Sequence, residues 1–359
     1  MTLHIDLADA QFGVNEHVII RNEKIAVSTF RYASGVAALR LKTARANIVV
    51  LPYKGQQIWS AEFDGRDLTM GSMFEEPVDT TDYLRTYGAF FMHCGLAGVG
   101  APGPQDTHPL HGELPNAPYQ AAWLEVDEAK NRISICGSYQ HTIAFSCNYL
   151  ATSKVSLDFD ETWLTVDLSV ENKRNVPMDL MYLGHANFRP VDFGKLIYAA
   201  QYDPASVRVR TSIPAHISPA EGYVEFIEAL EREPVLHHVL RPDLAFDPEV
   251  VFSIDMMAGL DGWTHAMQKL PDGGADFISY QPAQAPLTGR WLCRTPDQQG
   301  LGIAFPATSG VEGHQKEKAK NCYVELAARD TWNITMRMGA LNVDEADAME
   351  DSINHIAGR

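Results

Sequence analysis

The sequence predicts an all-β protein, a large antiparallel β-sandwich with a few peripheral helices. Three observations carry that prediction. Apolar and polar residues alternate over much of residues 27–170, which buries one face of a strand and wets the other. Asp64-Gly65, Asp261-Gly262 and Asp272-Gly273 are pairs suited to tight hairpins. Runs at helical spacing are few. Many short strands separated by turn chemistry make a sandwich or a barrel.

Taken in order, the strand signals begin with "VAALRLKTARANIVVLP" (36–52) and "QQIWSAEFDG" (56–65), followed by "AAWLEVDEAKNRISICGSYQ" (121–140). In "ETWLTVDLSVEN" Leu164, Val166, Leu168 and Val170 alternate with Thr165, Asp167, Ser169 and Glu171. Near the end "TWNITMRMGAL" (331–341) repeats the pattern. Two helices are expected. Ser218-Pro219-Ala220-Glu221 has the form of a capping box opening "GYVEFIEALERE", a helix to about Glu233. Ala346, Met349, Ile353 and Ile356 recur at helical spacing and stop at Gly358. No repeat or linker divides the chain, so residues 1–359 read as one domain, with 1–34 an N-terminal extension and 200–250 an insertion.

Composition narrows the function classes. With 46 acidic and 29 basic residues the formal charge is -17, which repels nucleic acid and anionic membrane surfaces. A neutral small molecule fits better. A mean hydropathy of -0.18 suits a soluble chain, and no window approaches the ~18 apolar residues that span a bilayer. A cytoplasmic location is expected. The five cysteines lack a C-x-x-C pair and read as reduced structural thiols. "GVGAPG" (98–103) lacks the strand-helix context of a dinucleotide fingerprint. A homodimer stays open.

Most of the 13 histidines read as surface or satisfied core groups, but two stand apart. His111 lies in "HPLHGELPNAPYQ" (108–120), a segment broken by proline and glycine; His185 and Asn187 end the apolar strand in "MDLMYLGHANFRP". Polar residues at the mouth of a buried strand are where a rigid scaffold presents side chains to a cleft.

These residues carry a resemblance. "PLHGELPNAPYQAAW" resembles the Leu-His-Gly segment of the aldose 1-epimerases (galactose mutarotases), and "NKRNVPMDLMYLGHANFRP" resembles their Asn-x-x-x-x-Pro…His-x-x-Phe strand. "NIVVLPYKGQQIWSAEFDGRDL" (47–68) is similar to their opening hairpin, and "GAFFMHCGLAGVGAPG" (88–103) to a segment of a less characterised branch. The resemblance spans about residues 35–345, with 200–250 poorly matched. It implies a β-supersandwich with a shallow sugar cleft, acting on a free sugar or sugar derivative by interconverting its anomers, with no cofactor. It assigns His185 as general acid and His111 as the group that binds and polarises the sugar, since a histidine near pKa ~6.5 suits such transfers. Arg85 in "DYLRTYG" and Asn187 are expected to bind substrate, and Asp255 to grip sugar hydroxyls or to be a strand-edge polar residue.

The departure concerns the base. Where the family has a glutamate late in the chain, the stretch here is "GIAFPATSG" (302–310), with Phe305 in that place. The base then comes from Glu312 or Glu317, or from Glu113, or the reaction is not anomerisation. Glu113 opens another alternative. Residues i and i+2 of an extended chain share a face, so His111 and Glu113, with His108 or His185, could hold a divalent metal. A metal-dependent sugar isomerase, epimerase or lyase follows on that reading. A carbohydrate-binding protein without catalysis is the third.

Overall fold

In the computed structural model, which describes residues 2–213 and 219–359, the alternation at 163–172 becomes the strand Trp163–Asn172. Leu164, Val166, Leu168 and Val170 are all buried, each stabilising the fold by about 1.5–3 kcal/mol relative to exposure. Strands hold 44% of the chain and helices 12%, so the all-β expectation holds. Among the described residues the strands form two sheets, one of nine and one of thirteen, paired antiparallel throughout.

The sheets bury a common core between them, to which Leu164, Val166 and Ile334 contribute from one side and Val50, Phe91 and Leu180 from the other. The described part of the N-terminal extension, residues 2–34, is woven in: Thr2–Asp6 pairs with Ala121–Asp127 in the smaller sheet, and His17–Arg21 and Ala26–Arg31 extend the larger. Asp64-Gly65 and Asp272-Gly273 turn hairpins as expected, with Gly65 at φ 78° and Gly273 at φ 95°.

The C-terminal helix runs Val343–Ala357 and covers the outer face of the smaller sheet through Ala346 and Ile353. Asn342 and Glu345 form a reciprocal capping box, and Gly358 ends the helix in the left-handed region, a cap of the kind that contributes ~1 kcal/mol. The other expected helix is Tyr223–Arg232, starting after Gly222. Ser218 of its expected capping box lies outside the described residues. Among those residues no helix is long and apolar enough to cross a membrane, and all five cysteines are unpaired.

What positions the site is the strand Met178–Ala186, buried on both faces. Leu180, Tyr182 and Ala186 point between the sheets, whereas Met181 and Leu183 join a second apolar cluster on the far face of the larger sheet. His185 has the parity of Met181 and Leu183. It therefore projects into that second cluster.

Candidate functional site

Three separate stretches meet around His185. Its neighbours along the sheet are Phe305, whose ring centroid lies 4.2 Å away, and Trp291 at 5.9 Å. Both rings lie over a strand without side chains to obstruct them. A Cβ on Gly302 would fall 2.1 Å from the Phe305 ring, and one on Gly300 2.3 Å from Trp291. Glycine in "GLGIAF" thus marks close approach inside a strand. Tyr83 and Tyr87, around a short 3₁₀ turn, close the cluster from above; Tyr87 stands edge-on to His185 at 6.0 Å.

His111 enters from the loop after Phe91–Leu96. Its backbone is pinned at both ends: its N–H donates to Gly100 O at 3.0 Å, and its carbonyl accepts from Gly95 N at 2.9 Å. His111 and Gly112 both have positive φ, 59° and 83°. A Cβ on Gly112 would come within 2.5 Å of Gly95 O. The turn so fixed sets the His111 ring 5.6 Å from His185, nearly perpendicular to it, and 4.8 Å from Tyr83.

Polar satisfaction is incomplete here. The Nδ1 atoms of His111 and His185 and the Tyr83 hydroxyl are sealed from solvent without a partner. Asn187 is better supplied: its Nδ2 donates to Ala89 O at 2.9 Å, and its Oδ1 accepts from the Tyr87 hydroxyl at 3.5 Å. Burial pushes His111 down to about 4, opposed by the nearby Glu249 carboxylate. Burial, reinforced by His111, holds His185 well below the usual imidazole range. Both rings are uncharged at neutral pH. The charged acid expected of His185 is thus not its resting form.

Glu249 is the carboxylate of this neighbourhood. One oxygen accepts from Trp291 Nε1 at 2.8 Å and the other from Arg210 at 2.6 Å. It lies at the mouth of a surface cavity of about 320 Å³ that also includes Trp291, Met73, Thr295 and Gln298. A second cavity, about 290 Å³, flanks the cluster at Trp59, Ser72 and the Asp67–Arg189 ion pair.

A search among solved structures finds this architecture repeatedly. A provisionally named aldose 1-epimerase from Klebsiella pneumoniae superposes with a TM-score of 0.80 at 17% identity, over 100% of this chain and 96% of that one. A galactose mutarotase-like protein from Clostridium acetobutylicum gives 0.61 at 12%, over 89% and 100%. A galactose 1-epimerase from Lactobacillus acidophilus gives 0.53 at 12%, over 91% and 98%. The fold is that of the galactose mutarotase-like proteins. A family model described as a domain of unknown function, DUF4432, matches residues 33–191. That stretch holds Tyr83, Tyr87, His111 and His185 of the aromatic and histidine cluster but not Glu249, Trp291 or Phe305. No curated protein matches at a significant level.

Not every residue expected from the sequence beside the two histidines reaches them. Arg85 is exposed, while Tyr83 and Tyr87 on either side of it are buried. Asp255 is an exposed strand-end residue in a bidentate ion pair with Arg208. Glu312 is exposed and bound to Lys320, and the buried Glu317 accepts from Glu312 N at 3.0 Å. Neither supplies a base beside His185.

The metal set also fails to converge. The left-handed backbone at His111 and Gly112 breaks the extended geometry that would put His111 and Glu113 on one face. Glu113 turns back to accept from Leu96 N at 2.9 Å, from Ala97 N at 3.2 Å and from the Tyr149 hydroxyl. His108 is buried against Pro109 O at 2.8 Å and accepts from His314 N. Among the described residues no three or more His, Cys, Asp or Glu side chains are arranged to hold a metal ion.

Proposed function

We propose that this is a carbohydrate-active protein that interconverts the anomers of a free sugar or sugar derivative, with His111 and His185 meeting the sugar. One observation carries the reading: two unpartnered Nδ1 atoms, on the buried His185 and the half-buried His111, in rings 5.6 Å apart. Buried polar atoms normally have partners, and exceptions call for an explanation. A ring sugar supplies hydroxyls to those nitrogens and C–H faces to the tyrosine, tryptophan and phenylalanine rings.

Anomer exchange breaks the O–H bond of the anomeric hydroxyl and the bond from C1 to the ring oxygen, forms the carbonyl, and protonates the ring oxygen. An uncharged His185 takes the hydroxyl proton and, as imidazolium, delivers it to the ring oxygen attached to the same carbon. The proton balance is zero, and closure on the other face reverses the steps. His111 holds and polarises the sugar. This route needs no carboxylate at position 305, and a hydrogen bond to Asn187 favours the transient imidazolium. Correct placement of such a group contributes ~10²–10⁴ in rate.

Phe305 and the low proton affinity of both rings also favour a second reading, sugar binding without turnover. Exchange NMR on equilibrated aldoses, with polarimetry on freshly dissolved ones, separates the two. Accelerated exchange supports the first. Saturable binding with unaccelerated exchange supports the second, and neither binding nor acceleration over a broad panel ends both.

A further inference from the structure

The strand that carries His185 runs on past the histidine cluster. Its chain stays extended through Phe188, which exchanges backbone hydrogen bonds with Leu301 at 2.9 and 2.8 Å. Ala186 and Phe188 join the core between the sheets, so His185, Asn187 and Arg189 share the far face. Arg189 stands beyond His185 by about 13 Å of extended chain. There it lines the cavity of about 290 Å³.

A bulge shapes that cavity. The pairing of Ala46–Leu51 with Gln57–Phe63 skips a residue, with Val49 facing Ser60 and Val50 facing Ile58. Trp59 is the extra residue, so Trp59 and Ser60, adjacent in sequence, both line the cavity. Bulges re-aim side chains in this way beside functional sites. Asp67 and Arg189 add an ion pair with no net charge, and Phe74 adds a second ring. The Asp67 oxygens each accept one hydrogen bond, from Thr69 N at 2.9 Å and from Arg189 Nη2 at 2.7 Å, and each keeps a lone pair. Arg189 uses Nε on Thr69 O and Nη2 on Asp67, which leaves Nη1 to donate.

We infer that this cavity takes a second, uncharged sugar ring joined to the one at the histidines, so that the ligand is a reducing disaccharide; the inference rests on the sugar reading above. A single ring does not reach from His185 to Arg189, whereas two linked rings approach that length. The carboxylate and guanidinium accept from and donate to neighbouring hydroxyls, while Trp59 and Phe74 pack against the C–H face of a pyranose.

The experiment compares sugars that share a reducing ring: glucose with maltose, cellobiose and lactose, and galactose with 1,4-linked galactobiose. Affinities are taken from saturation-transfer NMR titrations, and anomer exchange is followed in the same tubes. At least one disaccharide should bind about tenfold more tightly than its monosaccharide, the effect of one or two added hydrogen bonds. Arg189→Ala, and Ser60→Leu, which fills the cavity, should each lower the disaccharide affinity by about that factor relative to the monosaccharide's. Disaccharides that bind no more tightly than their monosaccharides, or an advantage that survives both substitutions, overturn the inference while leaving the sugar reading standing. Failure of all six sugars to bind or exchange overturns both together.

Discussion

The two faces of the larger sheet each hold a histidine pair, one ring buried and one half-buried, and the pairs are treated in opposite ways. Between the sheets, His237 gives its Nδ1 proton to Pro234 O and its Nε2 accepts from Arg290 at 2.9 Å. Its neighbour His238 pairs with the Tyr198 hydroxyl at 2.7 Å, and the Arg290 guanidinium lies 4.0 Å over the Tyr198 ring. On the far face, His111 and His185 each keep a sealed Nδ1 with nothing to bond. Burial lowers the proton affinity of all four. Burial alone therefore does not set the proposed pair apart; two unpaired nitrogens facing one another do. His93 tests the rule, since its Nε2 is also unpartnered, but it stands alone on the inner side, paired through Nδ1 with Tyr182 at 2.8 Å. Arg290 also keeps one free nitrogen, yet its charge lies on an aromatic face rather than beside a second orphan.

The sharpest break in the comparison comes from the satisfied pair. His237→Ala strips the buried Arg290 of a partner, and the expected loss is about 3–5 kcal/mol of stability, as when one member of a buried charged interaction is deleted. Denaturant titration measures it, and sugar affinity in the folded fraction should not move. A variant as stable as wild type would mean the inner pair is not structural.

His185→Asn should do the reverse, cutting exchange at least ~100-fold on any sugar that turns over while the unfolding midpoint stays near that of wild type. Retention of full exchange by this variant removes His185 from the chemistry. His111→Asn should raise KM as well as slow turnover, because its proposed contact is already made in the ground state.

Acid provides a third comparison. With folded-state proton affinity at about 4 for His111 and about 3 for His93 and His238, these rings stay uncharged in the fold while the unfolded chain takes up protons below ~6.5. Stability should therefore be full above pH ~6.5 and fall as the pH drops from there toward ~4. The slope of unfolding free energy against pH should lose close to one proton in His111→Asn. An unchanged slope would show that His111 is charged in the folded protein. Smallest of all, Asp255→Asn should cost under ~1 kcal/mol, as exposed ion pairs do, with sugar exchange at the wild-type rate.

The sheets were legible because alternation at 163–172 and 331–341 has one physical cause, burial of one face. His185 was legible for the same reason: it ends an apolar strand. His111 stood out in its proline- and glycine-broken segment, and its expected partner His185 lies 5.6 Å away; only the alternative metal partner Glu113 was misplaced, because the i, i+2 rule presumes extended chain and two left-handed residues intervene. Tyr83 and Tyr87 were hidden in "DYLRTYG", where the arginine drew attention; their shared burial depends on a 3₁₀ turn that no periodicity announces. Glu249 had no local signal. Its place depends on Trp291, 42 residues further along the chain, and only the pairing of Val250–Ile254 with Leu287–Arg294 brings them together.

That pairing gives the molecule an optical reporter. The Trp291 indole is fixed between a carboxylate at its N–H and His185 at its ring, so its emission reads the local field at the site. A sugar arriving beside His185 changes the dipoles around that indole and its exposure to water, and the fluorescence of the chain should shift in colour or intensity. Of the other five tryptophans only Trp59 shares the cluster, and Trp291→Phe leaves all five in place for comparison. Occupancy could then be followed in a stopped-flow cell with unlabelled protein, on sugars whose exchange is too slow or too fast for any other readout.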